Sequence, residues 1–370
     1  MSTLMSTAIN DSANPPSAGG VVGYDIPAVE AWIARQVPSL RPPLVWTRLE
    51  GGHSNLTCLI EDRQGQRAVI RRPPMGELLP KAHDMAREWA LISALGSESV
   101  KTRIPVPAAL GFCGDLSVTG AAFYVMGHVD GHPLYSADDT ARWLPPALRQ
   151  TLGHSFIDVL ADLHSIDPDA VGLGDLGKKD GYIARQLKTW YRSWNASIAG
   201  AQLDDPRAHA LQQYFMDHLP EQGPARIVHG DYGLHNTLVG ADGRVAAVVD
   251  WEISTLGDAL ADLAYALNQW AEPGDPAPVR GVPPTSLPGF PTRHELAERY
   301  AARTGRDLSQ LDFYIGFNRW KSAAIVHGVY ARYLEGKKSS VGVDLEGLKR
   351  AIVQSLAQAE AAVDRLERRA

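Results

Sequence analysis

Residues 226–252 read RIVHGDYGLHNTLVGADGRVAAVVDWE, and the fold turns on this stretch. Ile227-Val228 has the apolar, β-branched character of the end of a buried strand, and His229-Gly230-Asp231 follows where strand gives way to loop. Asn236 comes five residues after Asp231 and opens a second short apolar run, Asn-Thr-Leu-Val. Ala241-Asp242-Gly243 is a hairpin turn signal. Val245 to Val249 then runs as a buried strand into Asp250-Trp251-Glu252. This reading places Asp231, Asn236 and Asp250 at strand ends and loop positions of one small hairpin. Polar turn residues alone would scatter Asp and Asn in a similar way. They would not be expected to give the His-Gly-Asp order or the five-residue step to Asn236.

Phosphoryl transfer calls for such a set: a carboxylate for the hydroxyl proton, and an amide oxygen with a second carboxylate for Mg²⁺. The stretch resembles the catalytic core of protein kinases and of the aminoglycoside phosphotransferase and choline kinase-like families. There the loop reads H-x-D-x-x-x-x-N and the metal aspartate follows on the next strand. The likeness runs over nearly the whole chain from residue 24. IRRPP at 70–74, GLGDLG-x3-GY-x2-RQL from Gly172 and VHGDYGLHN from Val228 look like the branch related to kinase domains attached to acyl-CoA dehydrogenases.

The resemblance implies an α+β, bilobal protein-kinase-like fold, with an antiparallel N-lobe sheet plus helix and a mostly helical C-lobe. The divisions expected are a disordered segment over 1–22, a nucleotide-binding N-lobe over 23–128 and a catalytic, substrate-binding C-lobe over 129–370. It further implies a kinase acting on a small-molecule hydroxyl with ATP or GTP and Mg²⁺. Asp231 would orient the hydroxyl and accept its proton, while Asn236 and Asp250 would hold the metal. Glu252 is a candidate second-metal contact, and Trp251 stands where protein kinases have the Phe of their DFG motif.

Residues Pro27 to Gln36 form an amphipathic stretch with proline in the first turn of a helix. LVWTRLE, LTCLIE and RAVIRR then read as three antiparallel strands. The first turn between them, Gly51-Gly52-His53-Ser54-Asn55, is small and amide-rich, so Gly52, His53, Ser54 and Asn55 are expected to approach nucleotide phosphates. Residues 82–95 have helical spacing and carry Glu88, which the resemblance pairs with a strand cation. In place of the usual lysine this strand ends in Arg71-Arg72, and alternation turns only one of them to the nucleotide. Arg71 is favoured, since it follows the apolar pair Val69-Ile70 where the lysine would fall; its forked guanidinium can clamp both a carboxylate and a phosphate. Two further strands, PAALGFC and AAFYVMGHV, lead to the lobe crossing, where backbone near Met126 and His128 would face the adenine edge.

The second lobe reads as helical apart from the hairpin, with helices from about Pro146, Gly181, 294, 308 and 342. Asp262, in GDALADLAY, is expected to prop the catalytic loop rather than bind metal, and His229 and His235 to hold its shape by hydrogen bonds. Residues 272–293 are Pro-rich, a candidate lid or disordered insertion. Gly172 to Lys178 mimics a dinucleotide or P-loop signature, but it follows a helix end, so it reads as an inter-helix loop.

A net charge of −6 and pI near 6.1 argue against a nucleic-acid partner. No run is long enough to span a bilayer, no secretory leader opens the chain and only Cys58 and Cys113 occur, so a cytoplasmic protein with buried thiols is expected, its oligomeric state open. Arg185, Lys188 and Arg192 make a basic stripe beside an apolar face, and Arg319, Lys321 and Arg332 follow later. They suggest an anionic or CoA-linked acceptor. An antibiotic phosphotransferase and a nucleotide-binding pseudokinase are the alternatives.

Overall fold

The computed structural model describes residues 21–49, 55–75, 84–97, 104–279 and 281–368. Helix α1 (Ile26–Gln36) starts at Asp25, whose carboxylate accepts the Ala28 N–H at 3.1 Å. Strands β1 (Val45–Arg48), β2 (Leu56–Glu61) and β3 (Arg67–Arg72) are followed by α2 (Met85–Leu95), β4 (Ala109–Cys113) and β5 (Phe123–Gly127). The strands make one antiparallel sheet in the order β1-β2-β3-β5-β4.

Period-two alternation divides the buried side chains between the two faces of this sheet. Cys58, Ile60, Ala68, Ile70, Phe123 and Val125 pack with Val29 and Ile33 of α1. Val69, Tyr124 and Met126 face the other way, joining Leu91 and Leu95 of α2 in a core that continues into the rest of the chain through Leu160, Val248 and Trp251. The strand end before Asp250 is therefore set against that second face.

Beyond the sheet come α3 (Ala137–Trp143), α4 (Arg149–Ser165), α5 (Tyr182–Ala201) and α6 (Pro206–Asp217). Next are β6 (Arg226–Val228), β7 (Thr237–Val239), β8 (Val245–Val248), β9 (Thr255–Gly257) and α7 (Ala259–Gln269). Helices α8 (Arg293–Thr304), α9 (Leu311–Leu334) and α10 (Leu345–Glu367) complete the described chain. The expected single hairpin is two pairings. β7 pairs with β8, Thr237 opposite Val248, whereas β6 pairs with β9, Ile227 opposite Leu256. The chain turns at Gly230, φ +84°, a conformation open to glycine without a Cβ clash. The loop between β6 and β7 is thus clasped by both pairs.

Helices α3 and α6 were not anticipated. α3 buries only Ala137 and Thr140 and is held by its Ser136 cap, so it lacks an apolar stripe to read. α6 does carry one, Ala208, Leu211 and Phe215, behind an Asp205 cap. The Pro-rich connection is fastened at several points: Trp270 Nε1 donates to Pro291 O at 2.8 Å, Arg149 Nη1 to Pro288 O at 2.7 Å, and Ala137 N to Val282 O at 2.8 Å. Arg293 pairs with Glu272 at 2.7 Å and with Asp275. Among the described residues no helix is long and apolar enough to cross a membrane.

Candidate active site

The loop after β6 is suspended from Asp262 in the first turn of α7. Asp262 Oδ2 accepts the His229 N–H at 2.6 Å and its Oδ1 accepts the Gly230 N–H at 2.9 Å. His164 Nε2 donates to the same carboxylate at 3.3 Å, while Tyr300 O–H donates to His164 Nδ1 at 2.8 Å. Burial alone would raise the Asp262 carboxyl, but His164, His229 and the Gly230 N–H outweigh it and hold it below the usual carboxylate range. Burial also lowers the His164 pKa, consistent with a neutral ring that accepts at one nitrogen and donates at the other. With both oxygens committed to the loop, Asp262 is a strut.

His229 is fully buried and makes two contacts of its own. Its Nε2 donates to Val249 O at 3.0 Å, and its Nδ1 accepts the Asp231 N–H at 3.3 Å. The β8 end and the loop are thereby tied through one ring. Asp231 is itself buried, with Oδ1 taking the Tyr265 hydroxyl and lying 3.3 Å from His235 Nε2. Burial pushes the Asp231 carboxyl up, yet His235 and Tyr265 more than offset this and hold it well below the ordinary range. Asn236 Nδ2 donates to Asp231 O at 3.0 Å, which leaves the amide oxygen as the end open to a cation.

Across from this loop, Arg71 and Arg72 part company. Arg71 Nη2 lies 2.6 Å from Asp250 Oδ1 and 3.7 Å from Glu252 Oε2, and its Nε lies 3.3 Å from Glu88 Oε2. Arg72 faces the opposite side of the sheet, donating to Thr119 O at 2.9 Å and to Gly23 O, with its guanidinium 5.7 Å from the Tyr24 ring centre. Glu88 also accepts the Tyr124 hydroxyl at 2.9 Å. Burial pushes the Glu88 carboxyl up to about 7 against the pull of Arg71, because Asp250 and Glu252 share the same guanidinium. Asp250 holds a left-handed backbone, φ +65°, a strained conformation for a residue with a Cβ.

The structure thus brings Asp231, Asn236, Asp250, Arg71 and Glu88 to one cleft. Asn55 joins them, its Nδ2 donating to Glu252 Oε2 at 3.2 Å. Met126 is buried between β3 and β4, and His128 follows at the end of β5. Gly52, His53 and Ser54 lie outside the described residues. Tyr265 was missed, although it stands one turn beyond Asp262 on the same helix. Among the described residues no group of three or more His, Cys, Asp or Glu side chains is placed to hold a metal. Mg²⁺ needs no such cage, since it is held by one or two carboxylates together with substrate phosphates. Asp250 and the Asn236 amide oxygen, both hard donors, fit it.

The model of the phosphotransferase enzyme family matches residues 45–314, a span that includes every residue of this cleft. The chain belongs to the phosphotransferase enzyme family. It is 36% identical over 326 residues to acyl-CoA dehydrogenase family member 11 of Rattus norvegicus, covering 86% of this chain and 41% of that protein. The chain spans less than half the length of the curated relatives it matches. Among solved structures, a provisionally named aminoglycoside phosphotransferase of Ralstonia eutropha superposes with a TM-score of 0.78 at 30% identity, over 92% of this chain and 99% of that one. An aminoglycoside 2′-phosphotransferase solved with GDP gives 0.58 at 13% identity, over 91% and 98% of the two chains. The fold is accordingly the kinase-like one: an antiparallel five-stranded sheet joined to a largely helical half.

Proposed function

We propose that this phosphotransferase moves the γ-phosphoryl group of ATP, or GTP, to a hydroxyl of a small anionic or CoA-linked alcohol. The observation that carries the reading is Asp231, ionised and buried on a braced loop, five residues before Asn236 and across the cleft from the Arg71–Asp250 pair. A nucleotide co-substrate is further supported by the related fold solved with GDP.

Asp231 would receive the acceptor hydroxyl. Its low proton affinity suits a loose transition state, in which little proton transfer is needed before the phosphoryl group has moved. Asp231 then chiefly orients the attacking oxygen and takes its proton late. Asp250 and Asn236 would hold Mg²⁺, which when bound supplies positive charge against the phosphate oxygens. Arg71, anchored by Glu88, would turn its fork from Asp250 to the phosphates, leaving that carboxylate for the metal.

An antibiotic acceptor remains the second reading, favoured by the name of the Ralstonia protein. A screen for ADP release and thermal stabilisation decides between them. Its members are hydroxylated acyl-CoAs, other anionic alcohols, aminoglycosides, macrolides and choline, each with Mg²⁺ nucleotide. Turnover is expected with the anionic alcohols. Efficient phosphorylation of kanamycin-like amines with none of those alcohols would overturn the acceptor assignment.

A further inference from the structure

The basic stripe that suggested an anionic acceptor is a solvated helix face. Lys188 and Arg192 of α5 are exposed, and Arg185 donates to Lys178 O at 2.8 Å. Several other cations are paired with carboxylates: Arg293 with Glu272 and Asp275, Arg365 with Asp312 at 2.9 Å, Arg299 with Asp158 at 2.7 Å, while Arg319 is held by Asn268 O at 3.0 Å. Lys321 is different. It sits on α9, which is buried along most of its length between α5, α7 and α10, and it is itself only partly exposed.

Its direction follows from the helix. Tyr314, Asn318 and Lys321 recur at i, i+4 and i+7 and so share a stripe. The first two are fixed on the start of α7: Tyr314 O–H donates to Asp258 Oδ2 at 2.7 Å, and Asn318 Nδ2 to Ala261 O at 2.7 Å. Lys321 continues the stripe toward Asp262, the strut that positions Asp231. Burial lowers the proton affinity of its amine, and Asp262 and then Asp231 partly restore it. Among the described residues Lys321 makes no hydrogen bond or ion pair. Both nearby carboxylates are engaged elsewhere, Asp262 with the loop and His164, Asp231 with Tyr265 and His235. A half-buried ammonium with no bonded counter-ion is free to pair with an arriving anion, gaining a charge-assisted hydrogen bond in place of water.

We propose that Lys321 is the acceptor-binding residue of this phosphotransferase, and that it pairs with a negative charge on the reacting end of the acceptor. The assignment rests on the kinase reading above for what Asp231 addresses. One carboxylate and one ammonium then read the two ends of a short segment: Asp231 the hydroxyl, Lys321 an oxyanion a few bonds away. A charge borne only on a distant tail would not reach it, so of the two acceptor classes proposed above this assignment selects the acid charged close to its hydroxyl over the CoA thioester.

Calorimetric titration of the full chain tests this with charge-matched probes, glycerate against glyceramide and 3-hydroxybutanoate against 3-hydroxybutanamide, with Mg²⁺ and ADP present. The parent protein should bind each acid at least about ten-fold more tightly than its amide, the scale of one charge-assisted hydrogen bond. Lys321→Met, close in volume and able to stay buried, should abolish that preference, and Lys321→Arg should keep most of it. Equal binding of acid and amide by the parent would overturn the assignment, as would an undiminished preference in Lys321→Met. A purely structural lysine would shift the melting temperature, or both probes alike. Nucleotide turnover in the same samples reports separately on the kinase reading: an acid preference lost in Lys321→Met without any turnover would leave the anion site standing and remove the phosphotransfer.

Discussion

Two cations of the candidate site, Arg71 and Lys321, stand in opposite electrostatic settings. Arg71 is ringed by Glu88, Asp250 and Glu252, three carboxylates on one guanidinium, whereas Lys321 has no bonded carboxylate among the described residues. The first site carries excess negative charge, which suits a divalent cation and a guanidinium that must be able to turn to phosphates. At the second, both nearby carboxylates, Asp262 and Asp231, are bonded to other groups, which leaves the ammonium to pair with an arriving anion. In the proposed reaction the two ends thus differ in how their cation is paired.

The largest effect is expected at Arg71. Arg71→Ala leaves three carboxylates without their cation, a loss of roughly 3–5 kcal/mol in folding stability. Nucleotide affinity should fall with it, whereas Arg72→Ala, on the far side of the sheet, should lower stability and leave nucleotide affinity nearly intact. Paired denaturation curves and nucleotide titrations read both, and the reverse order would place the wrong arginine in the cleft. Next is Asp250→Ala, which should remove the tightening of nucleotide binding by Mg²⁺, since the hard cation loses its charged ligand. If Mg²⁺ strengthened ATP binding equally in mutant and parent, another group would hold the metal.

A smaller effect concerns pH. Glu88 has a folded-state pKa raised from the ordinary 4.5 to about 7, so the folded chain holds its proton more tightly than the unfolded one. Its burial costs nothing below about pH 4.5; the cost grows as pH rises and is complete above about 7. Relative to the parent, Glu88→Gln should therefore gain on the order of 2 kcal/mol between pH 4.5 and pH 8 in nucleotide-free urea unfolding. A mutant-to-parent difference that does not change with pH would show that Glu88 titrates alike in the folded and unfolded chain.

How much of this could be read from the residues depends on how local each signal is. β2 appears at the expected residues because its alternation is regular, and β3 because its apolar run Ala68-Val69-Ile70 pairs with β2 in register along the strand. The same alternation separates Arg71 from Arg72, and the favoured Arg71 is the one turned to Glu88 and Asp250. The partner of β6 was not legible: strands of three residues have no pattern that distinguishes β9 from β7. For charged residues, composition misled where burial decides. Arg185, Lys188 and Arg192 look like a binding stripe and are largely solvated, while Lys321, one residue among several basic ones in the sequence, is singled out only by what packs around it. Tyr265 was within reach, since a helix period from Asp262 points it at the same loop.

Asp231 is proposed to handle the acceptor hydroxyl rather than the nucleotide. Asp231→Asn preserves shape and hydrogen bonding while removing the charge, so it separates the two roles. Steady-state turnover with whichever acceptor the screen finds, beside a Mg²⁺–nucleotide titration of the same sample, is the direct measurement. Turnover should fall by roughly 10²–10⁴ with nucleotide affinity changed by no more than a few-fold. Near-parental turnover in Asp231→Asn would contradict that role.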